Sequence, residues 1–223
     1  MAALIVRRFN TQQDYVATWR HMQQFTAARC DTTPDEIWLL EHSSVYTQGL
    51  AGKAEHVLCA GDVPVVQTDR GGQVTWHGPG QLMIYTLFDV RRLQWGARRL
   101  VSVLENTLIA GLEKYGITAF AQSAAPGVYV RNGNGVVEKI AALGLRITKK
   151  GCYHGIALNV SNDLAPFAGI NPCGAVGQCV TKLEQWLSPL PVRAEIEKTL
   201  VTCFADALQS SSVVWQTSVW QMS

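Results

Sequence analysis

Charge is scarce in this chain: Asp, Glu, Lys and Arg make up 16% of 223 residues, and their formal balance is only +2. So small an excess does not supply the phosphate neutralisation that nucleic-acid binding needs, and no aromatic-basic repeat marks a single-strand groove. Long apolar runs are missing too. Apolar residues reach 48%, yet no stretch of about 20 runs uninterrupted, so neither a membrane span nor a disordered chain is expected. The start, MAALIVRRFN, has no basic leader, no long apolar run and no small-residue cleavage site. It reads as a first strand, in a protein kept in the reducing cytoplasm. Nucleotide signatures are absent: no Gly-Lys-Ser/Thr ending closes a phosphate-cradling loop, and no glycine spacing fits a dinucleotide fingerprint. The six cysteines, Cys30, Cys59, Cys152, Cys173, Cys179 and Cys203, contain no Cys-x-x-Cys pair. Cys152, His154, Cys173 and Cys179 do not match a structural zinc spacing, so no metal and no other cofactor is expected.

What is present fits one globular domain spanning residues 1–223. Leu4 to Phe9 reads as a strand, and Thr11 with Asp14 offers a capping box for a helix carrying Tyr15, Trp19, Met22 and Phe25 at helical spacing. That aromatic stripe reads as core. Short apolar runs at Ile37 to Leu40, Val63 to Val66, Leu82 to Phe88 and Val128 to Val130 predict strands. Leu100, Leu104, Leu108 and Leu112 predict a helix stopped by Gly116, and Arg193 to Leu208 predict another. Asn132-Gly133-Asn134-Gly135 is a hairpin turn leading into Lys139 to Ile147, with Tyr153 to Val160 pairing next. The Ser-rich tail has no assigned structure.

Four segments carry chemistry. Arg70 to Gln81 holds four glycines, which let backbone amides approach a ligand closely, while Arg70 and His77 supply polar contacts; a turn-rich connector is the plainer alternative. In Asn171-Pro172-Cys173-Gly174 the bracketing residues present a thiol that acts as a nucleophile if a base or cation stabilises its thiolate, although most cytosolic cysteines are inert. Lys139 opens an otherwise apolar strand; a surface lysine is the ordinary reading, whereas a buried one becomes a proton acceptor. In Tyr153 to Val160 the small Gly155 and Ala157 leave room for an acyl chain, or Gly155 marks a bulge. The basic pairs Arg91-Arg92, Arg98-Arg99 and Lys149-Lys150 are expected to steer an acidic partner.

Together RGGQVTWHGPGQL, APGVYV followed by KIAALGLRI, YHGIALNV, the F-x-x-INPCG run and a later Thr-Lys-Leu resemble the lipoyl(octanoyl) transferase family, and EHSSVYTQG is similar to its first active-site segment. The resemblance implies an α/β (α+β) domain with a mixed, largely antiparallel sheet packed by helices, related to biotin and lipoate protein ligases. It implies octanoyl-acyl carrier protein as donor, and a lysine on lipoyl domains of 2-oxoacid dehydrogenases or glycine cleavage H protein as acceptor. Cys173 is then the acyl-thioester nucleophile, and Lys139 lowers its pKa and accepts its proton. The acyl and pantetheine site is implied to include Arg70, Gly71, Gly72, Gln73, Val74, Thr75, Trp76 and His77, then Ala142, Leu143 and Gly144, and Gly155, Ile156 and Ala157. Competing readings are an ATP-dependent lipoate or biotin ligase, a non-catalytic carrier-binding module and, more remotely, a papain-like thiol hydrolase.

Overall fold

In the computed structural model, residues 3–123, 125–172 and 177–218 are described, so Cys173 lies outside the described residues. Strand β1 (Leu4–Gln13) leads into helix α1 (Tyr15–Ala28). The strand runs through Thr11, so the predicted capping position moves: Asp14 is the N-cap, its carboxylate accepting the Ala17 N–H at 2.7 Å. Then follow β2 (Asp35–His42), β3 (Val45–Gln48), β4 (Val65–Gln67), β5 (Val74–His77) and β6 (Gln81–Leu87). After α2 (Ala97–Glu113) come β7 (Ala119–Ala121), β8 (Gly127–Arg131), β9 (Val137–Thr148), β10 (Gly151–Asn159), α3 (Arg193–Leu208) and β11 (Val213–Thr217).

Eight strands form one sheet in the order β11-β1-β2-β6-β10-β9-β8-β7, and β4-β3-β5 form a smaller one. Only β1 pairs in parallel, with β11 and β2; the rest of the large sheet is antiparallel. The mixed, largely antiparallel sheet packed by helices is therefore present. Two regions differ from expectation. The Ser-rich tail supplies β11, whose Val213-Val214-Trp215 run pairs with Leu4-Ile5-Val6. The glycine-rich segment is not all loop, because its β-branched Val74 and Thr75 with Trp76 and His77 form β5.

Alternation along each strand sends side chains to opposite faces. On one face, Ile37, Leu39, Leu82, Ile84, Ile156 and Leu158 bury against the Leu100-Leu104-Leu108-Leu112 stripe of α2 and Ile196, Leu200 and Phe204 of α3. A fully buried leucine contributes roughly 2 kcal/mol, so this aliphatic layer is the main source of stability. The opposite face carries Trp38, Leu40, Met83, Tyr85, Tyr153 and Ala157 beneath Met22, Trp19 and Phe25 of α1. The small sheet closes over its own cluster of Tyr46, Val74, Trp76, Phe167 and Ile170.

Candidate functional site

A cavity opens where the small sheet, α1 and strands β6, β9 and β10 meet. Of the residues proposed from sequence, Arg70, Gly72, Gln73, Val74, Thr75 and His77 line it from the loop and β5, Ala142, Leu143 and Gly144 from β9, and Gly155 and Ala157 from β10. Two of these glycines have a steric reason. A Cβ on Gly144 would stand 3.0 Å from the Gly71 carbonyl oxygen and 3.2 Å from Arg70 Cδ, so a side chain there would crowd the loop where it settles on β9. A Cβ on Gly155 would run into the backbone carbonyl of Ile84 on β6. Three proposed residues face elsewhere. Trp76 packs in the small-sheet cluster, its indole N–H donating to Ser44 Oγ at 2.9 Å, because alternation on β5 turns it away from Thr75 and His77. Ile156 belongs to the aliphatic layer under α2. Gly71 donates its N–H to the Leu145 carbonyl at 2.8 Å and borders a neighbouring groove.

Four further residues, Tyr15, Met83, Tyr85 and His154, line the cavity. Tyr15 falls on the helix stripe in sequence, but it is the first helical residue and its ring stacks on His77 with centroids 5.7 Å apart. A polar residue inside an apolar strand, as Tyr85 is in QLMIYTL, was the available signal.

The polar groups form two buried chains. In the first, Arg70 Nη2 donates to Thr47 Oγ1 at 2.8 Å and to the Thr47 carbonyl at 2.6 Å. His77 Nδ1–H donates to Gln81 Oε1 at 2.9 Å, which leaves its Nε2 to accept the Thr47 hydroxyl at 3.2 Å. Gln81 Nε2 donates to Asn159 Oδ1 at 2.9 Å, and Asn159 Nδ2 to the Thr181 carbonyl at 3.0 Å. Thr181 N–H closes on the Lys139 carbonyl at 3.0 Å. An unbroken run of polar contacts thus ties the glycine-rich loop to the strand of the lysine.

The second chain centres on Asp69, which precedes Arg70 and receives Trp19 Nε1 at 2.8 Å, Gln23 Nε2 at 3.1 Å, the Tyr153 hydroxyl, and His154 Nε2 at 3.0 Å. Tyr153 and His154 are consecutive and would normally face opposite ways. His154 reaches the same carboxylate because its φ of 63° turns it out of strand alternation, a strained conformation for a non-glycine residue. Burial pushes the Asp69 carboxyl up, but hydrogen bonds from His154, Tyr153 and Gln23 outweigh it and hold the group well below the usual carboxylate range. Burial drives all three nearby histidines down: His42 to about 4, against a hydrogen bond to the Gln13 carbonyl, and His77 and His154 in the same direction. Burial also pushes Tyr15 up to about 12 and Tyr85 well above its ordinary value. The histidine and tyrosine lining is therefore uncharged at neutral pH, while Arg70 has hydrogen bonds to three backbone carbonyls and Thr47 Oγ1. Such a lining suits an uncharged acyl chain better than an ion.

Lys139 is 3% exposed, its Nζ lying 5.1 Å from the centre of the Tyr129 ring. Its backbone is clamped by the incoming segment: Lys139 N–H donates to the Cys179 carbonyl at 2.9 Å, and Val180 bridges Lys139 in parallel register. Gly127, at φ 139°, brings the β8 backbone against the lysine stem. Of the other cysteines, Cys152 is fully buried with its thiol pushed up to about 12 by burial, whereas Cys179 is exposed. Among the described residues no group of three or more His, Cys, Asp or Glu side chains is arranged to hold a metal, and no helix is long and apolar enough to cross a membrane.

The predicted basic pairs divide. Arg92 is paired with Asp35 at 2.8 Å, and Arg91 lies 3.6 Å from Asp89 and 3.7 Å from Asp31, so this pair braces its own turn. Lys150 Nζ donates to the Ala27 carbonyl at 2.6 Å. Arg98, Arg99 and Lys149 are exposed.

A family model described as lipoyl protein ligase A/B catalytic domain matches residues 14–205. Among curated relatives, an octanoyltransferase of Hahella chejuensis is 53% identical over 213 residues, covering 96% of this chain and 92% of its own. One of Cellvibrio japonicus is 51% identical over 198 residues, covering 88% and 89%. In structure, an archaeal bipartite lipoate protein ligase from Thermoplasma acidophilum superposes with a TM-score of 0.76 at 12% identity, covering 99% of this chain and 87% of its own. A biotin protein ligase from Aquifex aeolicus reaches 0.51 at 13% identity, covering 94% and 70%. At these identities the structural likeness speaks for the fold alone.

Proposed function

Because the chain belongs to the lipoyl protein ligase A/B catalytic family, with octanoyltransferases as its relatives at about half identity, we propose that it transfers octanoyl groups in protein lipoylation through a thioester on Cys173. The donor in this reading is octanoyl-acyl carrier protein and the acceptor is a lysine of a lipoyl domain. The observation that carries it is the burial of Lys139 beside a segment that pairs with its backbone six residues after Cys173. A lysine shielded from water exchanges protons with a neighbouring thiol more readily than an exposed one.

In the first half-reaction the Cys173 thiol gives its proton to the Lys139 amine, and the thiolate attacks the donor thioester carbonyl. The donor thiolate leaves and takes a proton back from Lys139. In the second half-reaction the acceptor lysine, as free amine, attacks the Cys173 thioester; the carbon–sulfur bond breaks to expel the Cys173 thiolate as the amide forms, and the proton released from the amine nitrogen passes through Lys139 to restore the Cys173 thiol. The first exchange converts one thioester into another of similar energy, and amide formation draws the second forward, so no ATP is required. Arg70, Gly72, Gln73, Val74, Thr75 and His77, with Ala142, Leu143, Gly144, Gly155 and Ala157, enclose the acyl chain. Gly71, Trp76 and Ile156 support that enclosure from outside. Transfer from octanoyl-acyl carrier protein to a lipoyl domain without ATP is the expected result. A strict ATP requirement with free octanoate would make the protein a ligase instead, and binding without transfer would make it a carrier-docking module.

A further inference from the structure

One charge sits inside the leucine stripe of α2. Glu105 is the single charged side chain among that helix's buried residues and is only 6% exposed. A carboxylate so placed loses its hydration, so hydrogen bonds and an opposite charge must offset the loss. Its Oε1 accepts the Gly127 N–H at 2.9 Å, and the stem of Lys139 packs against the same glycine. We propose that Glu105 is a positioning residue for the transfer reaction: its negative charge, reaching Lys139 past Gly127, holds the amine over the Tyr129 ring and draws the Cys173 proton onto it. The inference rests on the roles given above to Lys139 and Cys173.

Three observations tie the two residues together. First, Gly127 has φ 139°, a backbone that favours glycine, and a Cβ there would stand 2.7 Å from the Ala141 carbonyl oxygen and 3.3 Å from Lys139 Cε. A side chain at 127 would occupy the space that the lysine stem uses. Second, the pairing of β8 with β9 shifts between Val128–Ala141 and Tyr129–Lys139, and this bulge at Ile140 turns Lys139 to the side of Tyr129. There Nζ lies 5.1 Å from the ring centre, within the range of a cation–π contact. The Tyr129 hydroxyl donates to the Ala125 carbonyl at 2.8 Å, so one short segment anchors the ring through Ala125 and the carboxylate through Gly127. Third, burial pushes the Glu105 carboxyl up, while the Gly127 N–H and the charge of Lys139 pull it down, so each charge acts on the other. Two further charged groups face this pair. Exposed Arg98 of α2 shares a surface hollow with Glu105, and Glu138, next to Lys139 on β9, accepts Asn132 Nδ2 at 3.2 Å. Burial alone disfavours an ammonium, so a shielded amine without a counter-charge would return its proton to the thiol. With Glu105 behind it the S–H bond of Cys173 breaks and the N–H bond of Lys139 forms at less cost.

The test is the pH profile of Cys173 alkylation by iodoacetamide, read at that residue by peptide mass mapping. Glu105→Gln keeps an oxygen for the Gly127 N–H and removes only the charge. It is expected to raise the alkylation midpoint by about one pH unit, a roughly tenfold slower reaction below the midpoint. In a Lys139→Met background the same change should add nothing, because Glu105 acts through the amine. An unmoved midpoint in a folded Glu105→Gln protein, or an equal shift with and without Lys139, would overturn the proposal. Should Glu105→Gln not fold, the Gly127 amide resonance of the wild-type protein reports titration of the carboxylate it binds. That titration is expected to move to higher pH in Lys139→Met, and identical curves would overturn the proposal as well. If Lys139→Met itself leaves the alkylation midpoint in place, the reading of Lys139 as proton acceptor fails and takes this inference with it. A Lys139 effect without a Glu105 effect sinks this inference alone.

Discussion

The two ends of the site are built on opposite principles. At the histidine end, Tyr15, His42, His77, Tyr85 and His154 are buried side chains without charge, held by Gln13, Thr47, Asp69 and Gln81. At the other end a single amine is buried against an aromatic ring and wrapped by backbone from β8 and from Cys179 to Thr181. The first arrangement fixes the shape of the cavity wall with neutral rings; the second shields one amine from water. On the proposed reading, binding and chemistry are separated along β9 and β10, and substitutions at the two ends should fail differently.

The largest contrast is expected for Lys139→Ala. It should lower kcat by roughly 100- to 10,000-fold, the range typical of lost proton transfer, with KM for the donor nearly unchanged. A rise in KM with kcat preserved would place Lys139 with the binding end. Arg70→Ala should act mainly on stability, costing about 3 kcal/mol in urea unfolding, because the Thr47 and Gln73 carbonyls lose their buried donor. Acid should strike the histidine end in particular. His42, His77 and His154 have folded-state pKa values below their ordinary ones, so the unfolded chain binds more protons as the pH falls below about 6.5, and stability declines from there toward pH 4. For His42 alone the shift to about 4 corresponds to a loss on the order of 3 kcal/mol once it is fully titrated. Thermal melts across that window check it, and His42→Gln should flatten the slope. The smallest effect is expected for Tyr85→Phe, which removes one 2.7 Å hydrogen bond to His42 Nε2 and should cost about 1 kcal/mol with catalysis retained.

The helical layer was the most legible part of the sequence, since a stripe repeating every three or four residues has one physical solution. The Arg193–Leu208 bounds come directly from such a stripe, and Leu100 to Leu112 fixes α2. The edges of the sheet were less legible. Strand β11 is a five-residue run whose identity depends on β1 being beside it, and β7 has three residues. Of the candidate site, the glycine loop and Lys139 are marked by residue types unusual for their surroundings. The histidine end left weaker marks: Tyr15 follows a helical stripe as core residues do, and the outward turn of His154 is set by Asp69, 85 positions earlier. Residue spacing registers neither contact, because both depend on long-range packing.

The central claim is that Cys173 carries the acyl group. Intact-mass analysis after exposure to octanoyl-acyl carrier protein, with the lipoyl domain withheld, tests it directly. The account predicts one octanoyl adduct, removable by hydroxylamine, mapping to Cys173, absent in Cys173→Ala and retained in Cys179→Ala. An adduct that persists in Cys173→Ala, or that maps to Cys179, would contradict it.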